Sequence, residues 1–210
     1  MKGEMSELQK SMRITTVPFS AILIGGLTLA YSMYVAFTLT GNVLGNVRIV
    51  QLESYGGVTF SHLNNLEIWR LFASQLIHAK QLHMLYNVSC IVLLGLCLAG
   101  HVSNAKFLLL WFASGAAGTL ASTLFSEPPW NLGTGASQAV IGIAAFGLVL
   151  SHQKIIASKS VVVVLCFSIV PAVILDLICA GYPKPGHVVG ALVGVLAGVV
   201  HSKSYVKSEA

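Results

Sequence analysis

The sequence predicts an all-α, polytopic membrane protein of six transmembrane helices, with both termini on the cytoplasmic side. Composition, the length of the apolar runs and the placement of basic residues carry that prediction. Of 210 residues, 55% are hydrophobic and only 9% are charged, and the mean hydropathy is +0.80. A soluble domain carries about 25% charged residues, because water must solvate its surface. The 12 basic and 7 acidic side chains of this chain cannot coat a water-facing globule, so the surrounding medium is mostly lipid.

Crossing about 30 Å of hydrocarbon takes roughly 20 predominantly apolar residues. Six runs approach that length: 17–40, 82–100, 106–125, 133–151, 161–181 and 186–201. The first follows Lys2, Lys10 and Arg13. It exceeds the roughly 15 residues of a signal peptide's apolar core, so it reads as an uncleaved span. Between the first and second runs, 41–81 is an outer loop mixing Gly, Asn, Glu, Arg and Trp. Within it, 67–77 reads as a short interfacial helix with Trp69 and Arg70 at headgroup depth. The fifth run contains Pro171, which predicts a kink tolerated in a bilayer. The sixth is short and rich in glycine. The organisation is thus a cytoplasmic segment 1–16, a membrane domain 17–202 and a cytoplasmic tail 203–210.

Orientation follows from Lys and Arg. With the N-terminus inside, the inner segments hold Lys2, Lys10, Arg13, Lys106, Lys154, Lys159, Lys203 and Lys207, and the outer ones only Arg48, Arg70, Lys80 and Lys184. That asymmetry favours both termini inside. The net charge of +5 therefore reads as a topology signal rather than a nucleic-acid footprint. Cys90, Cys97, Cys166 and Cys179 lie in apolar runs without a CxxC pair and read as buried free thiols. No cofactor and no metal is expected.

In this topology the second, fourth and sixth spans all enter from the outer face, and each carries polar residues in its first turns. These are His83 and Asn87, Ser137, and His187. Singly each has a bland reading: a serine within a span usually packs or bonds the i−4 carbonyl. Together, on three alternate helices at one depth, they mark a functional site, because polar groups in lipid are costly. The available chemistry is narrow. A two-aspartate site is excluded because Asp176 is the chain's one Asp, and an HExxH zinc site because no His precedes a Glu. What remains is a serine nucleophile with a histidine base. No acid is evidently placed to orient that histidine, so a dyad is expected, with Asp176 satisfied locally at the interface.

These residues resemble the rhomboid intramembrane serine proteases over about 67–198. Trp69 and Arg70 match the family's Trp-Arg pair, and His78, His83 and Asn87 its H-x4-H-x3-N pattern. Gly135 and Ser137 match G-x-S, and His187, Gly190 and Gly194 match H-x2-G-x3-G. The resemblance implies a rhomboid-like bundle in which Ser137 is the nucleophile and His187 the general base. His83 and Asn87, with the Ser137 N–H, would form the oxyanion hole, while His78, Trp69 and Arg70 organise the outer loop. Gly135, Gly190 and Gly194 are assigned to helix packing. Independently, Gly186, Gly190, Gly194 and Gly198 make a stripe that lets two backbones approach.

The chain departs from the family pattern in having Gln138 after the serine, Ile141 at a usual aromatic position and no acid near Ala99. The implied function is cleavage of single-span membrane proteins near the outer face, at helices that unwind readily because of small or helix-breaking residues. An alternative is a weak or inactive relative that binds client transmembrane helices. A transporter or metal channel using His83 and His187 lacks a third ligand at that depth. A bacterial inner membrane is the expected location, with an organelle membrane as the alternative. Membrane lipid and single-span substrates are the expected partners, nucleic acid is not, and the sequence leaves the oligomeric state open.

Overall fold

The computed structural model describes residues 18–156 and 158–209. The expected segment 1–16, with Lys2, Lys10 and Arg13, lies outside the described residues, as do Val17 and Ala210. The described chain is helical, running α1 (Phe19–Thr40), a 3-10 turn (Ile49–Tyr55), α2 (Phe60–Asn64), α3 (Arg70–Ala73), a second 3-10 turn (Ser74–Leu76), α4 (Gln81–Leu98), α5 (Asn104–Phe125), α6 (Ser137–His152), α7 (Lys159–Ala180) and α8 (Pro185–Glu209). Five of these helices, α1, α4, α5, α7 and α8, are long and apolar enough to cross a membrane.

The sixth apolar helix, α6, is different. It has 16 residues, about 24 Å at 1.5 Å per residue, which falls short of the hydrocarbon thickness. Every residue from Ser137 to Gly147 is buried, as expected for a helix apolar on all sides and enclosed by others. The predicted span 133–151 is corrected at its start: Gly133 to Ala136 are not helical. They form an inserted turn, so the first residue of α6 is already enclosed within the bundle.

Glycines set how closely the helices around α6 approach. A methyl group on Gly190 would lie 2.5 Å from the Gln138 carbonyl oxygen, and one on Gly194 would overlap the Gly142 carbonyl. On α5, a methyl on Gly118 would lie 2.5 Å from the Gly186 oxygen. The stripe on α8 therefore fits backbone to backbone against α6 and α5, and any side chain would push them apart. On the far side of the bundle α1 packs on α4, where a methyl on Gly95 would meet the Ala21 side chain at 2.5 Å. Ser20 Oγ reaches Asn104 Oδ1 at 2.9 Å, tying the starts of α1 and α5.

The last span was read as 186–201 with a tail after it, and α8 runs through both as one helix to Glu209. α7 is helical on both sides of Pro171. The reading of all four cysteines as buried thiols is corrected. Of the four free cysteines only Cys90 is buried, while Cys166 and Cys179 are exposed on the apolar surface of α7.

The loop between α1 and α4 is clamped rather than loose. Arg70 Nη1 donates to the carbonyls of Glu53 (2.7 Å) and Gly57 (2.9 Å), and Nε to Glu67 (2.6 Å). Its guanidinium stacks on the Trp69 ring, 4.8 Å from the centroid. The interfacial helix expected over 67–77 is realised in part, as α3 and the 3-10 turn after it. Val58 and Gly133 then pair through reciprocal backbone bonds of 3.2 and 2.7 Å, which join this loop to the inserted turn before α6.

Candidate active site

Ser137 opens α6 and His187 lies in the first turn of α8, behind Pro185. Proline suits the first helical position because its missing N–H would have no partner there. The glycine contacts between the two helices bring Ser137 Oγ to 2.8 Å from His187 Nε2. That is hydrogen-bond distance between residues 50 positions apart. On the other ring nitrogen, Nδ1 of His187 lies 2.5 Å from Asp176 Oδ2. A carboxylate can only accept, so Nδ1 carries the proton, and the Nε2 lone pair faces the serine hydroxyl.

This corrects the expectation that no acid orients His187 and that Asp176 is satisfied only locally. Asp176 Oδ2 does accept the Lys184 backbone N–H at 2.9 Å, but it also holds the histidine. Lys184 Nζ stands 3.8 Å from Asp176 Oδ1 and 3.8 Å from the centroid of the Trp130 ring. Burial lowers the Lys184 pKa below the usual lysine range, against the opposing pull of Asp176. In the sequence Lys184 figured only as an outer basic residue, and Trp130 was not singled out. The one available signal was a lone aspartate in an apolar run, which lipid tolerates only with a partner.

A cavity of about 270 Å³ opens above these groups and is lined by Ser137, Gln138, His83, His78, Asp176 and His187 among others. His83 presents its ring to this cavity, and its centroid lies 5.8 Å from that of His78. The N-terminus of α6 faces it too. Val140 is the first residue whose N–H bonds within the helix, to Ala136 (2.9 Å). The N–H groups of Ser137, Gln138 and Ala139 are thereby left without a helical acceptor. Free N–H groups at a helix start favour negative charge.

Asn87 is placed differently from expectation. It is fully buried and does not line the cavity. Its side-chain amide lies 2.9 Å from His78 Nε2, so it is engaged behind the cavity wall. His78 is the hub of that wall. Its Nε2 also accepts the Ala136 N–H at 3.3 Å, and its Nδ1 lies 3.1 Å from Ser32 Oγ. Since Ser32 donates its own proton to the Leu76 carbonyl at 2.8 Å, Nδ1 is the donor to Ser32 and the ring is neutral. Burial, with His83 nearby, pushes the His78 pKa down to about 3.

Gly135, expected to serve helix packing, is instead a turn residue with φ +89°, a conformation that glycine adopts without strain. Its N–H donates to the Ser74 carbonyl at 2.8 Å. Gly190 and Gly194 do lie in the α6–α8 seam. Trp69 and Arg70 stand in the loop clamp. Gln138 sends its side chain between Gly118 and Gly186, where its Oε1 is buried without a partner. Ile141 is buried within α6. Among the described residues, no three His, Cys, Asp or Glu side chains are grouped to hold a metal ion.

Comparison with known proteins agrees with this architecture. Residues 65–204 match the family model of the rhomboid domain. The putative rhomboid protease YdcA of Bacillus subtilis is 32% identical over 139 residues, 63% of this chain and 66% of that protein. The rhomboid protease GlpG of Haemophilus influenzae is 25% identical over 137 residues, 65% of this chain and 71% of that protein. Inactive RHOMBOID-like protein 8 of Arabidopsis thaliana is 28% identical over 99 residues, 47% of this chain. The chain spans only 26% of that plant protein's length, and just under two thirds of YdcA. With its apolar helices and the family match over most of its length, the chain is a multi-pass membrane protein belonging to the rhomboid family.

Proposed function

We propose that the protein is an intramembrane serine endopeptidase that uses Ser137 as nucleophile and His187 as general base. The observation that carries this reading is the 2.8 Å approach of Ser137 Oγ to His187 Nε2 across the α6–α8 seam. As Oγ bonds to the scissile carbonyl carbon, its proton passes to Nε2, and the carbonyl oxygen becomes an oxyanion. The N–H groups at the start of α6 and the ring of His83 are the donors available to it. When the tetrahedral intermediate collapses, the C–N bond breaks and the leaving nitrogen takes the proton from Nε2. Water then repeats the sequence on the acyl-enzyme, with His187 again acting as base. Asn87 supports this wall through His78 rather than facing the oxyanion.

The substrates are single-span membrane proteins. A peptide bond inside a helix is hydrogen-bonded and shielded, so the cut falls where the span unwinds, at small or helix-breaking residues. The cavity beside Ser137 and His187 admits the water that hydrolysis needs. With both termini cytoplasmic, that cavity faces outward, and the bacterial relatives favour a bacterial inner membrane. A second reading, a chain that binds client helices without cleaving them, draws on Gln138 beside the nucleophile and on the relative named inactive.

The test is covalent labelling of the detergent-solubilised protein by a fluorophosphonate. Wild type is expected to label, and Ser137→Ala and His187→Ala are expected to lose labelling with unchanged melting temperatures. Folded wild-type protein that fails to label would sink the protease reading and leave client binding.

A further inference from the structure

We propose that Asp176 is a positioning residue for His187, completing a Ser–His–Asp arrangement whose carboxylate comes from the neighbouring helix α7, with Lys184 as its counter-charge. The inference rests on the Ser137–His187 chemistry proposed above and extends it to residues outside the motifs.

Asp176 is the single aspartate of the chain, and its side chain is 2% exposed within a helix that could cross a membrane. A carboxylate in such a place is destabilising unless matched by donors and opposite charge. Here Oδ2 accepts from His187 Nδ1 and the Lys184 N–H, while Oδ1 faces the Lys184 ammonium. Lys184 is in turn held over Trp130. The consequence for His187 is specific. An imidazole bonded through Nδ1–H to a carboxylate has one tautomer and one ring orientation, and both direct the Nε2 lone pair at Ser137. Without the acid, the ring could rotate or carry its proton on Nε2, where it cannot accept the serine proton.

The charge argument runs the same way. When Nε2 takes the serine proton the ring becomes an imidazolium, and the Asp176 carboxylate 2.5 Å away stabilises that cation while remaining ionised. Lys184 acts in the opposite sense, because its ammonium disfavours a second positive charge nearby. The titratable groups that line the cavity with His187 are Asp176 and Cys179 from α7, His83 from α4, His78 and Lys80 from the segment before α4, and Lys184 from the turn before α8. Of these, Asp176 alone touches the ring through a hydrogen bond. Since the acid sits on α7 and the base on α8, displacing α7 would uncouple the histidine without touching Ser137.

The experiment is 15N NMR of the full chain in micelles with 15N-labelled histidine. His187 is assigned by its loss in His187→Ala, and fluorophosphonate labelling rates are measured in parallel. In wild type the two ring nitrogens are expected to report one tautomer, with the proton on Nδ1, and in Asp176→Asn that tautomer is expected to be lost. The same variant should slow labelling by about 100- to 10,000-fold, and Asp176→Glu should restore part of that rate together with the tautomer, a joint rescue that loss of structure does not produce. An unchanged tautomer in Asp176→Asn would overturn the proposal. If that variant does not fold, a wild-type His187 protonated on Nε2, or mixed between the two nitrogens, does so instead. Should wild type fail to label while the tautomer changes as stated, the protease reading falls and the positioning of His187 by Asp176 stands. If wild type and Asp176→Asn label equally fast, the reverse holds.

Discussion

Two buried walls meet at Ser137, and each is built around a histidine that the structure uses in an opposite way. On the loop side, His78 donates through Nδ1 to Ser32, and its Nε2 accepts from Asn87 and the Ala136 N–H. Every position on that ring is occupied, and a proton added at Nε2 would displace two donors. On the α8 side, Asp176 holds His187 at Nδ1, and Nε2 meets only a hydroxyl that can give its proton away. In the proposed reaction the same side chain is a fixed strut in one wall and a proton acceptor in the other. Partner type decides which: backbone and amide donors neutralise a histidine, whereas a carboxylate readies it to take charge.

The comparison breaks most sharply at His187. His187→Gln keeps a polar side chain of similar size but cannot take the serine proton, so cleavage of a reconstituted single-span substrate should fall by about 1,000-fold or more. The melting temperature should barely move. A loss below tenfold would mean that the base lies elsewhere.

Next in size is a variant that separates the walls without altering either histidine. Gly194→Leu places a side chain against the Gly142 carbonyl, at the contact that sets the distance between α6 and α8. Overpacking of this kind costs about 1–3 kcal/mol, and a displacement near 1 Å at reacting atoms costs about 100-fold in rate. Activity should therefore fall much further than stability does. Thermal melting and cleavage assayed on one preparation would show it, and equal cleavage by variant and wild type would remove the seam from the argument.

How much of this was readable beforehand follows from what each feature leaves in a sequence. Long apolar runs announce six apolar helices because lipid demands length, and five of them have spanning length. The start of α6 was not legible, since Gly133 to Ala136 are as small and apolar as the helix they precede. The positive φ of Gly135 and the backbone bonds to Val58 and Ser74 make them a turn. Asn87 matched a motif, yet its amide turns toward His78, a direction set by the fold of the loop over α4 and not by spacing. Asp176 was visible as an unusual residue but not as a partner. Its meeting with His187, eleven positions on, depends on the reversal at Gly181, whose φ of +78° ends α7. The glycine stripe of α8 was legible because close approach requires small residues and little else does.

His78 yields a smaller effect on rate and a clear one in pH. Its pKa is about 3 in the folded protein against 6.5 as the ordinary value, so between these the unfolded chain binds the proton and the native chain does not. The group makes no contribution above pH 6.5, and stability declines as pH falls below it, until the penalty levels off near pH 3. At pH 5 the loss amounts to about 2 kcal/mol. His78→Gln should flatten that decline in pH-dependent melting while slowing cleavage only about tenfold, through the loosened Asn87 and Ala136 contacts. A pH slope unchanged by the substitution would show that His78 already carries its proton.

The smallest effect is expected furthest from the reacting atoms, at Arg70. Its fork reaches the Glu53 and Gly57 carbonyls while its Nε holds Glu67, a planar geometry that a lysine ammonium cannot reproduce. Arg70→Lys keeps the charge but loses the simultaneous contacts, for a cost of about 1–2 kcal/mol. Because the clamp reaches the site through backbone bonds, the Val58–Gly133 pairing and the Gly135–Ser74 bond, the change should appear first as faster hydrogen exchange at Val58 and Gly133, with cleavage reduced a few-fold. Restoration of wild-type exchange by lysine would mean that charge alone holds the loop. A cleavage loss as large as that of His187→Gln would place the loop clamp in the chemistry, and the two walls would then no longer divide support from proton transfer.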